Sequence, residues 1–335
     1  MSMTTPGLSI LIPAYNAGPF IGSTLRSLLL QTYTDFEILV CDDGSTDNTA
    51  DVVRTFTDPR IRFFQNKENR GKNFTGNFLL DQAAGKWANV HDADDISVPS
   101  RLENQMNFLN AHPQCVLCGT NFIAFVGNGK VIEKSNLETE SKAIREKIKT
   151  VSQFHGPTVI FRKDIALQVG GLYRFFDHPS DIDFTMRVAE RFETANLKEY
   201  LYYYRHQPGS LSNDVGGYDL KRLADVKMLY HLARERAENQ GIDTLMRGDD
   251  AKIRSLMEEF TAEYRADPSI ALRRGVFRLL GMKMYSNAMR LSIKALRASL
   301  NELNLKCVVY AFLYSIKGSL ELLLSREKID LRFLK

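Results

Sequence analysis

Apolar and polar positions divide the chain into two regimes. In the first, short apolar runs alternate with segments of helical periodicity. Leu8 to Tyr15 (LSILIPAY) is almost continuously apolar, the pattern of a strand buried on both faces of a parallel sheet. Gly18-Pro19 interrupts it, and Ile21, Leu25, Leu28 and Leu29 then recur at helical spacing through Thr32. A second strand is predicted over Phe36–Cys41, ending in Asp42-Asp43-Gly44-Ser45, with Asp47 placed to cap the next helix. Asp58-Pro59 precedes a third strand, Ile61–Gln65, and a third helix is predicted from about Lys72 to Ala84. The fourth strand is the apolar lead-in of the stretch Trp87–Leu102, which reaches Asp92-Ala93-Asp94-Asp95 before Pro99 opens another helix. Alternation of this kind implies right-handed crossovers and a doubly wound sheet.

In such a sheet the polar strand ends gather along one edge, where ligands bind. Here they are Tyr15-Asn16, Asp42-Asp43, Asn66 to Gly71 and Asp92 to Asp95. Three carboxylates within four residues repel one another unless a cation sits among them, and hard divalent cations such as Mg²⁺ or Mn²⁺ favour oxygen ligands shared with substrate phosphates. Taken alone, the acidic run also reads as a solvated turn that caps the following helix. No G-x-G-x-x-G turn follows the first strand, where Pro13-Ala14-Tyr15-Asn16 stand, and no G-x-x-x-x-G-K-[ST] loop occurs. Phosphates bound at this edge are therefore expected to be neutralised by a carboxylate-held metal rather than cradled by glycine amides.

Beyond residue 112 the pattern gives a strand over Cys115–Phe125, a turn at Gly127-Asn128-Gly129 into Val131-Ile132, and a polar helix over Glu138–Lys149. From Tyr218 on, helical periodicity dominates (Leu220, Leu223, Val226, Leu229-Tyr230), with a polar link from Gly241 to Asp250. The last third alternates apolar and basic residues, as in Val276-Phe277-Arg278-Leu279-Leu280 and around Leu291, Ile293 and Leu296 with Lys294 and Arg297.

Composition changes this picture in two places. At 335 residues, 44% hydrophobic and 25% charged, the chain suits one large domain plus a smaller one, or two domains. The net charge of +4 conceals an asymmetry: from Ala271 to Lys335 there are 13 Lys and Arg against 4 Asp and Glu, a net +9, which leaves −5 on the first 270 residues. No run reaches 18 uncharged apolar residues, and Cys307–Ile316, flanked by Lys306 and Lys317, is too short to span a bilayer. The opening MSMTTPGLSI has no secretory-signal pattern. Cys41, Cys115, Cys118 and Cys307 are too scattered for a disulfide framework, and Cys115-x-x-Cys118 lies in an apolar run with no second ligand pair. Core packing in a reducing, cytoplasmic compartment is the expectation.

The ordered set LSILIPAYNAGPFIGSTLRSLLLQTYTDFEILVCDDGSTDNT, NRGKNFTGN and HDADDISVPSRL resembles the inverting family-2 glycosyltransferases of GT-A fold, over roughly Leu8 to Ser212. The resemblance implies a doubly wound mixed sheet flanked by helices and a nucleotide-sugar donor, most simply a UDP-sugar. It implies that Pro13, Ala14, Tyr15, Asn16 and Asp43 hold the nucleotide and that Asn69 and Gly71 close over it. Asp92-Ala93-Asp94 takes the place of the family's D-x-D, with Asp94 on the metal, Mn²⁺ or Mg²⁺, and Asp92 on the ribose or the metal shell. His155 to Arg162 resembles the short strand behind the acceptor site, with His155 either lining that site or packing beneath it. Asp181 aligns with the catalytic base, although Ser180 stands where the family usually has Glu; Asp183 competes, but two residues on along a helix it faces away. Asn196 to Ser212 matches the family's usual ending, and His206, one place before the usual His, is a further metal-shell candidate.

The expected organisation is a transferase domain over residues 1–215, with a nucleotide half (1–112) and an acceptor half (113–215), and a basic helical extension over 216–335. For the extension three readings stay open: a solvated helical subdomain, an interfacial helix drawn to anionic lipids at the inner face of the membrane, and a dimerisation surface. Nucleic acid is not expected, because the basic face carries no binding motif. The expected acceptor is a glycan or lipid-linked oligosaccharide. The rivals are a sugar-nucleotide pyrophosphorylase, which needs a glycine-rich basic loop that this chain lacks, and a non-catalytic nucleotide-sugar-binding scaffold.

Overall fold

The computed structural model describes residues 5–127, 129–176, 179–206, 220–267, 269–270, 272–273, 276, 285–324 and 328–334. The chain forms two compact units. The first comprises Met1–Ile123, Ser135–Arg205 and Arg332–Lys335; the second comprises Ala124–Lys134 and His206–Leu331.

The strands in chain order are β1 (Leu8–Ala14), β2 (Phe36–Asp42), β3 (Ile61–Gln65), β4 (Trp87–Val90), β5 (Ile96–Ser97), β6 (Cys115–Val126), β7 (Lys130–Lys134), β8 (Ile160–Arg162) and β9 (Glu193–Arg205). They form a mixed sheet in the order β3-β2-β1-β4-β8-β6-β9-β5, with β7 on β6. The four strands expected from the alternating pattern are all present and parallel, and the register places Ile10 between Ile38 and Asn89. β8 runs antiparallel to β4 and makes the sheet mixed. Every residue of β1 and β2 except Pro13 is buried, which explains their unbroken apolar character.

Helix α1 (Gly18–Leu29) packs Ile21, Leu25 and Leu28 onto Leu8, Ile10, Ile38 and Val40, and the core takes in Leu102, Met106 and Leu109 of a later helix. Each such side chain contributes about 1.5–3 kcal/mol when fully buried. Helices α2 (Thr49–Arg54) and α3 (Lys72–Gln82) follow β2 and β3. The N-cap of α2 is Asn48 rather than Asp47 and makes no side-chain cap bond; Asp47, one place before it, accepts the Thr49 amide on Oδ1 at 2.9 Å and the Gly18 amide on Oδ2 at 3.0 Å, tying the starts of α1 and α2 together.

Two expectations are revised. Pro99 does not open a helix directly; Ile96-Ser97 first pair with Tyr203 and Tyr202 of β9, and α4 begins at Arg101 (Arg101–Ala111). A buried two-residue strand is too short to leave a periodicity. The polar helix is also shorter than expected, α5 covering Ser141–Lys147. Helices α6 (Lys163–Gln168) and α7 (Ser180–Arg191) complete the first unit's described helices.

In the second unit, α8 (Leu220–Glu238) pairs with α9 (Asp250–Ala266), and α10 (Tyr285–Ala298) pairs with α11 (Glu302–Leu324). Leu272, Val276, Ala288, Leu291, Ala295, Cys307 and Ala311 form one core cluster there, and Met228, Leu229, Leu232, Ile253 and Phe260 are buried on α8 and α9. Asn128, Gln207 to Ser212, Tyr218 and Phe277 to Leu280 lie outside the described residues. All four cysteines are buried free thiols, as expected of packing residues. Among the described residues no helix is long and apolar enough to cross a membrane.

Candidate active site

The carboxyl ends of β1 and β2 are stitched together by their own turns. The Asp43 amide donates to the Ala14 carbonyl at 2.8 Å, just past the last residue pair of the ladder, Ala14 and Asp42. Asn16 sits at φ +49°, a region that asparagine tolerates. Its amide donates to Ser45 Oγ at 2.9 Å and its Oδ1 accepts the Thr46 amide at 2.9 Å. Tyr15 between them leaves 47% of its surface exposed, whereas Asp43 is buried.

Asp43 organises the next loop. Its Oδ1 accepts Asn66 Nδ2 at 2.7 Å and the Arg70 amide at 3.1 Å, and its Oδ2 accepts the Gly71 amide at 2.8 Å. Asn69 Oδ1 shares the Gly71 amide at 2.9 Å. The loop can lie this close because position 44 is glycine: a Cβ there would come within 2.4 Å of the Glu68 backbone, and its φ is +71°. Pro13, Ala14, Tyr15, Asn16, Asp43, Asn69 and Gly71 thus lie along one edge.

The acidic turn after β4 is built from beneath by a chain of fully buried polar groups. Arg101 Nε donates to Ser97 Oγ at 2.9 Å, Ser97 lies 2.9 Å from His91 Nε2, and His91 Nδ1 lies 2.7 Å from the Asp92 carbonyl. Burial, with the Arg101 charge behind it, pushes the His91 pKa down to about 3, so the ring is neutral and Nδ1 is its donor. From the other side Thr24 Oγ1 lies 2.9 Å from the Ala93 carbonyl and 2.8 Å from that of Asp95.

The three carboxylates differ sharply. Asp92 Oδ1 lies 2.6 Å from Lys72 Nζ; burial disfavours its charge, but the ammonium outweighs that and holds its pKa low. Burial, then the neighbouring Asp92, push Asp94 up to about 6. Asp95 is fully buried, lies well above the usual carboxylate range through burial and the two neighbouring charges, and accepts the Arg205 amide at 2.7 Å. Asp95 therefore anchors β9, while Asp92 and Asp94 are partly exposed. Among the described residues no group of three His, Cys, Asp or Glu is poised to hold a metal. Asp92 and Asp94, two partly exposed carboxylates on one turn, fit a divalent ion that would complete its shell with phosphate and water, as Mg²⁺ usually does.

Asp181 lies in the first turn of α7, its Oδ1 accepting the Ile182 amide at 2.9 Å. Gly156 admits it: a Cβ there would stand 2.5 Å from Asp181 Oδ2. Asp183 is occupied elsewhere. Arg174 grips both its oxygens at 3.0 and 2.7 Å, and Arg187 Nε adds a third bond at 2.9 Å, with the Asp183 and Arg187 side chains each only 1% exposed. His155 packs against the Phe122 ring, centroids 4.3 Å apart, and burial lowers its pKa to about 4 against the pull of Asp92 and Asp181. His206 is buried, its amide bonded to the Phe125 carbonyl at 2.8 Å within the second unit.

Lys72 and Tyr173 were not expected. The charges of Asp92 and Asp181 act on both, and together with His155 they make one electrostatic cluster from five separate segments. A basic residue directly after Gly71, facing an edge otherwise rich in carboxylates, was the available signal.

The profile of Glycosyl transferase family 2 matches residues 9–170. EpsE of Bacillus subtilis, named as a glycosyltransferase, is 30% identical over 206 residues, 60% of this chain and 73% of that one. A UDP-Glc:alpha-D-GlcNAc-diphosphoundecaprenol beta-1,3-glucosyltransferase of Escherichia coli, WfgD, is 34% identical over 130 residues, which span 39% of this chain and 48% of that protein. Among solved structures, TarS 1–349 of S. aureus in complex with UDP-GlcNAc superposes with a TM-score of 0.59 at 20% identity, covering 94% of this chain and 90% of that one. The likeness to TarS establishes the fold alone, and it is the GT-A-like mixed sheet flanked by helices. The chain belongs to the family-2 glycosyltransferases and is a glycosyltransferase.

Proposed function

We propose that the chain transfers a sugar, with inversion, from a UDP-sugar to a hydroxyl of a glycan or lipid-linked oligosaccharide. The observation that carries this reading is that Asp92 and Asp181, 89 positions apart in sequence, both act on the buried His155 ring, while Asp183, in the same first turn of α7 as Asp181, is locked between two arginines. Pro13 to Asn16 and Asp43 hold the nucleotide, and the Asn69–Gly71 segment closes over it. Asp94 and Asp92 hold Mg²⁺ or Mn²⁺, which supplies charge compensation at the departing diphosphate. Asp181 takes the proton of the acceptor hydroxyl as that oxygen attacks the face opposite the leaving group. The name of WfgD, with its UDP-Glc donor and diphosphoundecaprenol acceptor, supports both substrate classes. Residues 1–215 act as the transferase and the basic 216–335 as a support at the cytoplasmic face of a membrane.

Asp181→Asn should lower transfer about 10²–10⁴-fold while leaving UDP affinity unchanged. Full activity in that variant overturns the assignment of the base. A wild-type chain whose thermal unfolding is not shifted by any nucleotide-sugar with Mn²⁺ overturns the donor reading and favours a scaffold instead; at 100-fold over its dissociation constant a donor adds about 2.7 kcal/mol.

A further inference from the structure

Lys72 is the first residue of α3, directly after Gly71, whose amide is fixed on Asp43. Its backbone is therefore tied to the nucleotide edge, while its ammonium reaches 2.6 Å from Asp92, the carboxylate assigned to the metal shell. Both side chains are only partly exposed, so the ammonium is held at the carboxylate. The lysine thus supplies the positive charge that Asp92 needs. A diphosphate entering beside Asp92, Asp94 and Asp181 would meet three carboxylates, and a single divalent ion held by Asp92 and Asp94 would leave an excess of negative charge.

Resting on the donor reading above, we infer that Lys72 is a resident counter-ion for Asp92 that transfers to a phosphate oxygen of the donor when metal and nucleotide bind. The flexible four-carbon stem lets the ammonium swing without moving the backbone held on Asp43. The start of α3, with its unsatisfied amides, adds positive potential on the same side. Lys72 is in this sense a binding and positioning residue with two partners in turn, a role distinct from the base and from the metal carboxylates.

The test uses the full chain and three probes: Mn²⁺ alone, UDP with Mn²⁺, and uridine. Lys72→Met keeps the length and removes the charge. Loss of a charge-assisted phosphate contact should weaken UDP about tenfold or more, while uridine binds as in the wild type. Mn²⁺ without nucleotide, followed by the spectroscopic signal of the free ion, should bind the variant about threefold more tightly, because a partly exposed ion pair no longer competes for Asp92. Lys72→Arg should restore most of the UDP affinity. Unchanged UDP binding in Lys72→Met overturns the inference, and an equal loss for uridine assigns Lys72 a purely structural role. Weaker Mn²⁺ binding would overturn the counter-ion half. A wild-type chain that binds no UDP would instead strike the donor reading itself.

Discussion

Two carboxylates two positions apart, Asp181 and Asp183, have opposite fates, and the difference lies in their partners. Asp183 neutralises two guanidinium groups, and Arg187 in turn bonds the carbonyls of Val169, Gly171 and Leu172 at 2.5 to 3.0 Å. Removing one member of such a buried network leaves uncompensated charge, which costs about 3–5 kcal/mol. Asp183→Ala should therefore lower the denaturation midpoint strongly and carry activity down with it. Asp181→Asn should leave the midpoint within about 0.5 kcal/mol of wild type, as expected for a partly exposed site away from the core. If both variants prove equally stable, the division between structural and reactive carboxylate fails. Gly44 makes a comparable point about backbone. Ala at that position meets the Glu68 backbone and must hold φ at +71°, so Gly44→Ala should cost at least about 1–3 kcal/mol and weaken UDP, because the loop can no longer close on Asp43.

At the scale of elements, α8 and α9 are joined by a polar lock. Glu235 accepts from Lys252 Nζ at 2.8 Å, from Thr244 Oγ1 at 2.9 Å and from the Thr244 amide at 2.8 Å. Burial works to raise its pKa, but these bonds prevail and bring it down to about 2. Because the folded pKa lies below the unfolded value near 4.5, the stabilisation is present above pH 4.5 and is lost as pH falls towards about 2. The midpoint difference between wild type and Glu235→Gln should thus be largest near neutral pH and shrink below pH 4.5; a difference independent of pH would contradict the lock. Elements also show what was legible in the sequence. The parallel strands were, because β1 and β2 are buried on both faces and so are apolar at every position. The acidic turn was, because three acids within four residues are conspicuous. β5 was not, since two residues carry no period and its partner β9 is over a hundred residues away. Lys72 was not, since its meaning depends on Asp92, twenty positions later, and only folding brings them together. His91, Ser97 and Arg101 are individually unremarkable polar residues; their role exists only as a buried chain.

For the molecule as a whole, the basic excess of the last 65 residues acquires meaning from α11. Asn304, Cys307 and Ala311 face inward, yet Leu305, Val309, Phe312, Leu313 and Ile316 remain half exposed or more, with Leu303, Tyr310 and Tyr314 beside them. A helix apolar on its outer face as well as its inner one needs a further apolar partner. Leu305, Val309, Phe312 and Ile316 alone would make a coiled-coil seam, but the exposed apolar arc is much wider than the two positions per heptad such a seam uses. Tyrosines flanking aliphatic side chains, and a net +9 over residues 271–335, suit the interface of an anionic bilayer, where each basic residue adds about 1 kcal/mol. The full chain should therefore sediment with vesicles containing phosphatidylglycerol, less with purely zwitterionic ones, and release as salt shortens the screening length to about 3 Å at 1 M. Leu305→Glu with Leu313→Glu, which removes about 1.5–3 kcal/mol of apolar burial per site, should abolish the sedimentation and leave UDP binding intact. Sedimentation-velocity runs in the absence of lipid decide the competing occupant. A wild-type dimer that the same double substitution dissociates, with no vesicle binding by either form, would mean that a second copy of the chain covers this face and that the basic charge has another use.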